Sequence, residues 1–521
     1  MMNDEKGVAR IHPEGEQQTE GMQPEATATS VDTFAGKVQI KWAPEAEVSS
    51  LGLMPFFIEF LKTSGLFEKW VEDCPLKFTS PNAPRKRDVL GTVLLSVLSG
   101  HWRYAHISAL RGDGVNPELL GMRKVASEDS VRRALSAIQE EEGRRWLKAH
   151  LRSSYEPLLD EAWALDVDST VKPLYGQQEE AKVGYNPQKP GRPSHVYHSY
   201  FIANLRMVMD VEVQAGNQTA ASFAQPELWS MLDGLPKESH PRFMRGDCGW
   251  GNERAMLGAE QRGLPYLFKL KQSANVKKLI EKLFGSEQWV AAGQNWQGLE
   301  TELRLTGWSK TRRVIVLRRR LPEGVEEQKS KKKSAKQLSL DLPELTHQGA
   351  KYEYAVLVTT LKDEVRTIAQ HYRDRGDSEN NFDELKNQWG WAGFTTHDHK
   401  RCQIMARITA LVYNWWTVFM RLGIPDKHAE AITSRPLALH GIARRTRHSN
   451  QTTVEITNTH SKAPLIAVAL TRVSSFLKRI KANAEQLLQL DRWRLILSAA
   501  FQQFLRGKVI GGTGKLAEAA G

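Results

Sequence analysis

The sequence predicts an α/β protein: a mixed sheet core, interrupted by an all-β insertion and flanked by helical N- and C-terminal domains. Two observations carry this. Between residues 161 and 271, short apolar runs closed by Asp, Gly or Asn follow one another as three strands, helix, strand, helix, strand. On either side of that region the apolar spacing is helical, whereas residues 272–365 read as alternating strand-like pieces.

The elements follow in order. Residues 1–45 form an expected disordered acidic tail, with seven acids against two bases in the first 35 positions and neither an apolar run nor a secretory signal. Residues 46–160 are expected to be a helical DNA-binding domain. Leu53–Leu61 and Val89–Leu98 read as helices, and Ser127 reads as the N-cap of a third that carries Arg132 and Arg133. Arginines near the start of a short capped helix suit a helix-turn-helix reader, although a solvated pair on a bundle helix would look the same.

The core is expected from 161–271 together with 366–425. Its strands are Ala162–Asp168, Tyr200–Leu205, Val208–Val213, Arg242–Asp247 and Pro265–Leu270, with helices over Phe223–Leu232 and Asn252–Arg262. The insertion, 272–365, contains strand-like pieces at Glu302–Leu305, Arg313–Leu317 and Tyr354–Val358. Its stretch from 301 to 336 has twelve Lys/Arg against four Asp/Glu, and Lys329–Lys336 reads as a disordered basic run. The facing of Arg312, Arg313 and Arg318–Arg320 is fixed by strands, so Arg318 and Arg319 are candidate DNA contacts. Residues 426–521 begin with a polar basic link, Arg444–His448, and continue as a helical region whose stripe runs Leu470, Val473, Leu477, Ile480, Ala484, Leu487.

Composition narrows the function classes. The 521 residues are 40% hydrophobic with 15 Trp, enough for a sizeable core and incompatible with wholesale disorder. Seventy-two Lys/Arg against 60 Asp/Glu give a net charge of +12, which favours a polyanionic partner. Cys74, Cys248 and Cys402 are too dispersed for a CxxC metal pair or a disulfide framework, as expected of a cytoplasmic protein. The longest apolar segment, Ile408–Met420, lies between Arg407 and Arg421 and is shorter than the roughly 20 residues a membrane span requires. No membrane role is expected.

Acids at strand ends mark where chemistry could occur. Asp166 and Asp168 alternate and so face one side of the first core strand. Asp247 ends another strand and precedes Gly249 and Gly251, which permit a tight turn. Sites in open α/β sheets form at such carboxyl ends, though capping and turn roles use the same residues. On a continuous helix from Tyr372 to Lys386, residues Tyr372, Arg375, Glu379 and Lys386 share an arc of roughly 60° at about 100° per residue. A carboxylate amid hydroxyl, guanidinium and ammonium groups could form a site, while a solvated face would also be polar. The loop Gly184–His195 offers Lys189 and Arg192 to a DNA path or to solvent. His195 and His198 have no third nitrogen or sulfur ligand nearby in sequence.

Tyr372, Arg375, Glu379 and Lys386 match the pattern Y-x2-R-x3-E-x6-K, which resembles the signature of a large group of bacterial insertion-sequence transposases of the DDE class. Asp168, in Leu-Asp-Val-Asp-Ser-Thr, resembles the family's first aspartate, and Asp247, in Arg-Gly-Asp-Cys-Gly-Trp, its second. Asp166 competes for the first position, and Gly376 inside the helix is unusual, costing about 1 kcal/mol against Ala. The resemblance covers about 160–425. It implies a ribonuclease-H-like core with an all-β insertion before the Glu helix. It also implies that Asp168, Asp247 and Glu379 hold two Mg²⁺ ions, with Mn²⁺ as a substitute. Tyr372, Arg375 and Lys386 would then grip phosphates of the element's end. Double-stranded DNA (terminal inverted repeats and target) is the implied partner, with a homodimer in the synaptic complex and a nucleoid-associated place in a bacterial cytoplasm. Whether cleavage passes through a hairpin is left open. Two rivals stand beside this reading: a DNA-binding protein derived from such an element that no longer cuts, and a carboxylate-pair glycoside hydrolase, which the positive charge disfavours.

Overall fold

The computed structural model describes residues 29–321, 346–347 and 350–511, apart from 44, 79, 81, 187, 224, 426, 427 and 483–486. The chain divides into two units, Met1–Glu47 and Val48–Gly521. In the first, β1 (Thr29–Thr33) and β2 (Gly36–Ile40) form an antiparallel hairpin. Strands thus replace the expected tail over these residues, because Gly36 at φ +102° closes a tight turn between two β-prone runs. Residues 1–28 of that expected tail lie outside the described residues, as does Lys329–Lys336.

The second unit opens with β3 (Val48–Ser49) and the helices α1 (Met54–Ser64), α2 (Leu66–Glu72), α3 (Lys86–Leu98), α4 (Asn116–Leu119), α5 (Glu128–Ala137) and α6 (Glu140–Tyr155). A 3₁₀ segment, Tyr104–Gly112, joins α3 to α4. Ser127 caps α5 through Ser130 N–H at 3.2 Å, and Val131, Ala134 and Leu135 turn its apolar face inward.

The core strands are β4 (Ala164–Pro173), β5 (Lys182–Val183), β6 (Pro193–Ile202), β7 (Met207–Ala215), β8 (Phe243–Gly246) and β9 (Tyr266–Lys269). They carry α7 (Pro226–Asp233) between β7 and β8 and α8 (Glu253–Gln261) between β8 and β9. β6 pairs antiparallel with β7 and β4, while β4–β8 and β8–β9 are parallel, so β7-β6-β4-β8-β9 is the spatial order. This is the mixed sheet that the order of apolar runs predicts. β6 starts earlier than expected and absorbs Pro193–His195 from the predicted loop.

After α9 (Ala274–Leu283) come β10 (Val290–Gly293), β11 (Trp296–Leu303), β12 (Arg312–Arg320), β13 (Thr346–His347) and β14 (Ala350–Thr359). β14 pairs antiparallel with β9, so the strand-rich segment extends the same sheet to eleven strands. Then follow α10 (Val365–Arg373), α11 (Gly376–Asn387), α12 (His399–Gly423) and α13 (Ala431–Ala438). β15 (Ile442–His448) and β16 (Gln451–Thr457) form a hairpin that pairs with β3, in place of the expected polar link. α14 (Ala463–Ala482) and α15 (Gln489–Ala500) complete the unit; Ile466, Leu470, Val473, Leu477 and Ile480 are the buried stripe of α14.

α12 is buried along most of its length and packs on β7 and α6. No helix among the described residues is long and apolar enough to cross a membrane. Polar pins fix α12 in register: Asn414 bonds Val208 N–H and C=O at 2.8 Å each, and Arg407 Nε meets Asp210 at 2.8 Å. Beside them Glu212 is buried and accepts from Tyr200 Oη. Burial pushes its carboxyl up to about 7, against the Tyr200 bond, which lowers it. Because the folded value lies above the unfolded one, near 4.3, this group's contribution is fully present below the unfolded value and is lost as pH rises through about 7. Glu212→Gln is therefore expected to flatten the loss of stability between pH 5 and 8, measured as urea midpoint against pH; an unchanged slope would contradict the assignment.

Candidate active site

The parallel pairing of β4 with β8 sets the site. Asp166 lies opposite Arg245 and Val167 opposite Gly246, so Asp168, midway along β4, and Asp247, the first residue past β8, stand side by side at the same level. β4 continues to Pro173 and does not end at Asp168 as expected. Gly246 is needed there, since a Cβ would come within 2.8 Å of Trp250 and 3.0 Å of Val167. Asp247 Oδ1 accepts Gly249 N–H at 2.9 Å, which closes the turn beside the carboxylate.

The two candidate first aspartates differ in what surrounds them. Asp166 is fully buried, and Arg245 engages both its oxygens, Nε at 2.5 Å and Nη2 at 2.8 Å. Arg245 also donates to the His371 carbonyl, so this pair anchors α10 to the sheet. Asp168 instead meets Arg375 Nη2 at 2.7 Å.

Tyr372–Lys386 is not one helix. The chain turns at Asp374–Arg375, where Arg375 N–H bonds the Tyr372 carbonyl at 3.2 Å, an i to i+3 closure that tightens the ladder just before Gly376. The α-helical pattern resumes at once, with Glu379 N–H on the Arg375 carbonyl at 3.2 Å. Arg375 is 4% exposed at this junction, and its Nη1 meets Glu379 Oε1 at 2.6 Å. One guanidinium thus spans Asp168 and Glu379, while the Glu379 side chain is 64% exposed and open to a ligand.

The charges respond to one another. Burial pushes Asp168 up to about 7; Arg375 opposes this, while Asp247 and Glu379 reinforce it. Burial works against the charge of Arg375, but Asp168, Tyr372, Asp247 and Glu379 outweigh it and hold the proton more tightly. Burial also raises the Tyr372 hydroxyl, with Arg375 opposing and Asp247 and Glu379 adding to the rise. Lys386 donates to the Val171 carbonyl at 3.0 Å, and burial lowers its pKa. Five sequence-selected residues therefore share one electrostatic neighbourhood, and Lys386 is tied to the same strand three residues beyond Asp168.

Two residues that support this arrangement carried no separate signal in the sequence. Arg245 is one. Glu384 is the other: its buried carboxylate accepts His428 Nε2 at 2.7 Å, Trp389 Nε1 at 2.9 Å and Ala431 N–H at 2.9 Å. It pins α11 to α13. Only its burial distinguishes it from Asp383, its exposed neighbour, and burial depends on tertiary packing.

The other predicted contacts lie elsewhere. Arg132 pairs with Glu128 at 3.3 Å and lies over Tyr104, while Arg133 is exposed. Lys189 and Arg192 both lie over the exposed Tyr175 ring, each 4.8 Å from its centroid. Arg318 stacks on Trp289 at 4.0 Å, and Arg319 lies over Trp296 at 5.0 Å and pairs with Glu353. His195 and His198 are buried, bonded to the Glu179 and Gln218 carbonyls.

A divalent cation such as Mg²⁺ takes oxygen donors, and Asp168, Asp247 and Glu379 are such a donor set. Asp247 and Glu379 both raise Asp168, so the three lie within electrostatic reach of one another. Among the described residues, however, no three of His, Cys, Asp and Glu are gathered closely enough to hold an ion. Arg375 answers the charge of two of them. The donors fit a divalent metal in kind, and their closing on one point is not part of this arrangement.

The family described as transposase DDE domain, group 1, matches residues 83–477, a span that includes the whole site. No curated protein matches the chain. A cryo-EM structure of a piggyBac transposase synaptic complex with hairpin DNA aligns over 90% of this chain and 88% of that one, at 10% identity and a TM-score of 0.37. At that score the likeness is too loose to argue from.

Glu384→Ala would leave buried N–H donors of His428, Trp389 and Ala431 unpaired. A loss on the order of 3 kcal/mol in unfolding free energy is expected. Urea denaturation measures it; a change below about 0.5 kcal/mol, the size of ordinary surface substitutions, would contradict the pinning role.

Proposed function

The chain belongs to the family of transposase DDE domains, group 1, and from that premise we propose that it cuts the ends of a bacterial insertion sequence and joins them to target DNA, using Asp168, Asp247 and Glu379. The observation that carries this reading is that Asp168 on β4 and Asp247 just past the parallel β8 stand at the same level, with Glu379 brought to Asp168 through Arg375. The strand order β7-β6-β4-β8-β9, three antiparallel strands followed by two parallel ones, supports a ribonuclease-H-like core.

In this reading the three carboxylates hold two divalent cations, Mg²⁺ or Mn²⁺, which would activate the attacking oxygen and stabilise the leaving one. The protein's own residues do the rest. Asp168 and Asp247 are held rigidly by the sheet and by the turn at Gly249, whereas Glu379 projects from a helix into solvent. Arg375 fixes the distance between β4 and α11, and to grip a phosphate its guanidinium would exchange one of these carboxylates for the phosphate oxygens. Tyr372 and Lys386 flank it as a hydroxyl donor and a point charge. The core spans 161–271 and 366–425, with 272–365 as the insertion whose Arg318 and Arg319 lie along DNA. Residues 46–160, with Arg132 and Arg133, read the terminal repeat, and Lys189 and Arg192 line the DNA path. The segment 1–45, with its β1–β2 hairpin, and the region 426–521, in which helices flank the β15–β16 hairpin, complete the chain, and two protomers pair the two ends.

A second reading, a DNA-binding protein that does not cut, is favoured by one observation: Arg375 already neutralises Asp168 and Glu379.

End-labelled duplex carrying the gene's flanking sequence separates the two. Asp168→Ala, Asp247→Ala and Glu379→Ala are each expected to lower cleavage by at least about a thousandfold while changing DNA affinity less than tenfold, about 1.4 kcal/mol. Near-normal cleavage by the Glu379→Ala protein would sink the assignment. Chelating divalent cations is expected to stop cleavage and leave the gel-shifted complex, and Mn²⁺ to restore it. Binding without cleavage by wild type in either metal would favour the second reading.

A further inference from the structure

Away from the carboxylates, the helical layer contains a hollow of about 600 Å³ between the end of the 3₁₀ segment, α4 and the start of α5. Its charged lining is Arg111, Asp113, Glu118, Arg123 and Lys124. The two acids are engaged. Asp113 accepts Ser49 Oγ at 2.8 Å and Asn116 Nδ2, Val115 N–H and Asn116 N–H at 2.9 Å each. Glu118 is paired with two arginines of β15, Arg445 at 2.9 Å and Arg447 at 2.5 Å.

The three cations are in the opposite condition. Arg111, Arg123 and Lys124 are all exposed, and their side chains make no ion pair or hydrogen bond among the described residues. The acid whose charge Lys124 feels is Asp88, which is buried and accepts Arg123 N–H at 2.8 Å. Three cations with no ion pair or side-chain hydrogen bond of their own at the mouth of one hollow focus a positive potential. A second hollow of about 280 Å³, lined by Asp129, Arg132, Arg133, Ser136 and Arg401, also borders α5. α5 therefore runs beside two basic recesses while presenting Arg133 to solvent.

We propose that the hollow at Arg111, Arg123 and Lys124 is a binding site for the phosphodiester backbone of duplex DNA, which holds α5 in register along an adjacent groove. The major groove, roughly 12 Å wide, admits a helix, and contacts to the flanking phosphates fix its orientation without reading sequence. Each of the three cations takes one phosphate; the charge of Glu118 is answered by Arg445 and Arg447, and that of Asp113 is turned inward onto four neutral donors. This rests on the DNA-processing reading above and adds a second, non-catalytic contact to it.

The test is fluorescence anisotropy of the full chain with labelled duplex over a range of KCl concentrations. Wild type is compared with the triple variant Arg111→Ala, Arg123→Ala, Lys124→Ala and with the charge-keeping Arg111→Lys, Arg123→Lys. Losing three phosphate contacts should reduce the slope of log K against log salt by about 2.7 and weaken binding roughly ten- to a hundredfold. The loss should be equal for flanking-sequence and unrelated duplex, and the lysine variant should keep the wild-type slope. A wild-type slope in the triple variant would overturn the proposal and leave the transposase reading standing. Failure of wild type to bind duplex at any salt would instead overturn that reading and this site with it. Competition by inorganic phosphate as strong as by unlabelled duplex would overturn the backbone assignment in favour of a free-phosphate site.

Discussion

The guanidinium of Arg375 couples the sheet to the helix that carries Glu379. It is buried at the junction of α10 and α11, and it bonds Asp168 on β4 at 2.7 Å and Glu379 on α11 at 2.6 Å. A cation so desolvated is tolerable only because carboxylates surround it, and those carboxylates can approach one another only because it stands between them. Much else serves to keep this contact in place. Arg245 ties Asp166 to the His371 carbonyl and so sets where α10 meets the sheet. Glu384 fixes the far end of α11 against α13.

The same division of labour separates neighbouring acids. Asp166 and Asp168 are two residues apart on one strand and face the same way, yet one is sealed into a structural ion pair and the other opens toward the exposed Glu379. What distinguishes them is the partner on the next element. Arg245, on β8, reaches the buried start of β4, while Arg375 reaches its middle, level with the carboxyl end of β8, where sheets of this kind place ligands.

Much of this was legible from residue order. The strand runs gave the mixed sheet because buried strands have short apolar sequences closed by turn residues, and Ser127 marked its helix because a hydroxyl cap satisfies an otherwise unpaired N–H. The stripe Tyr372, Arg375, Glu379 and Lys386 was visible as a spacing. Its interruption at Asp374–Arg375 was not, since one i to i+3 closure leaves no compositional mark. β15 and β16 were hidden by their charge: Arg444, Arg445 and Arg447 read as a solvated link, whereas Arg445 is buried against Glu118 from a distant helix. Long-range pairing of that kind, like the burial of Glu384, is a property of the folded chain and not of its local sequence.

If Asp168, Asp247 and Glu379 work together on DNA, a marker placed between the gene's own flanking sequences is excised only when all three are intact. Excision is expected in cells that make the wild-type chain and none with Glu379→Gln, which keeps the size of the side chain and removes its charge. Equal excision by both would contradict it, because Glu379 would then be a surface residue and Arg375 merely its structural partner.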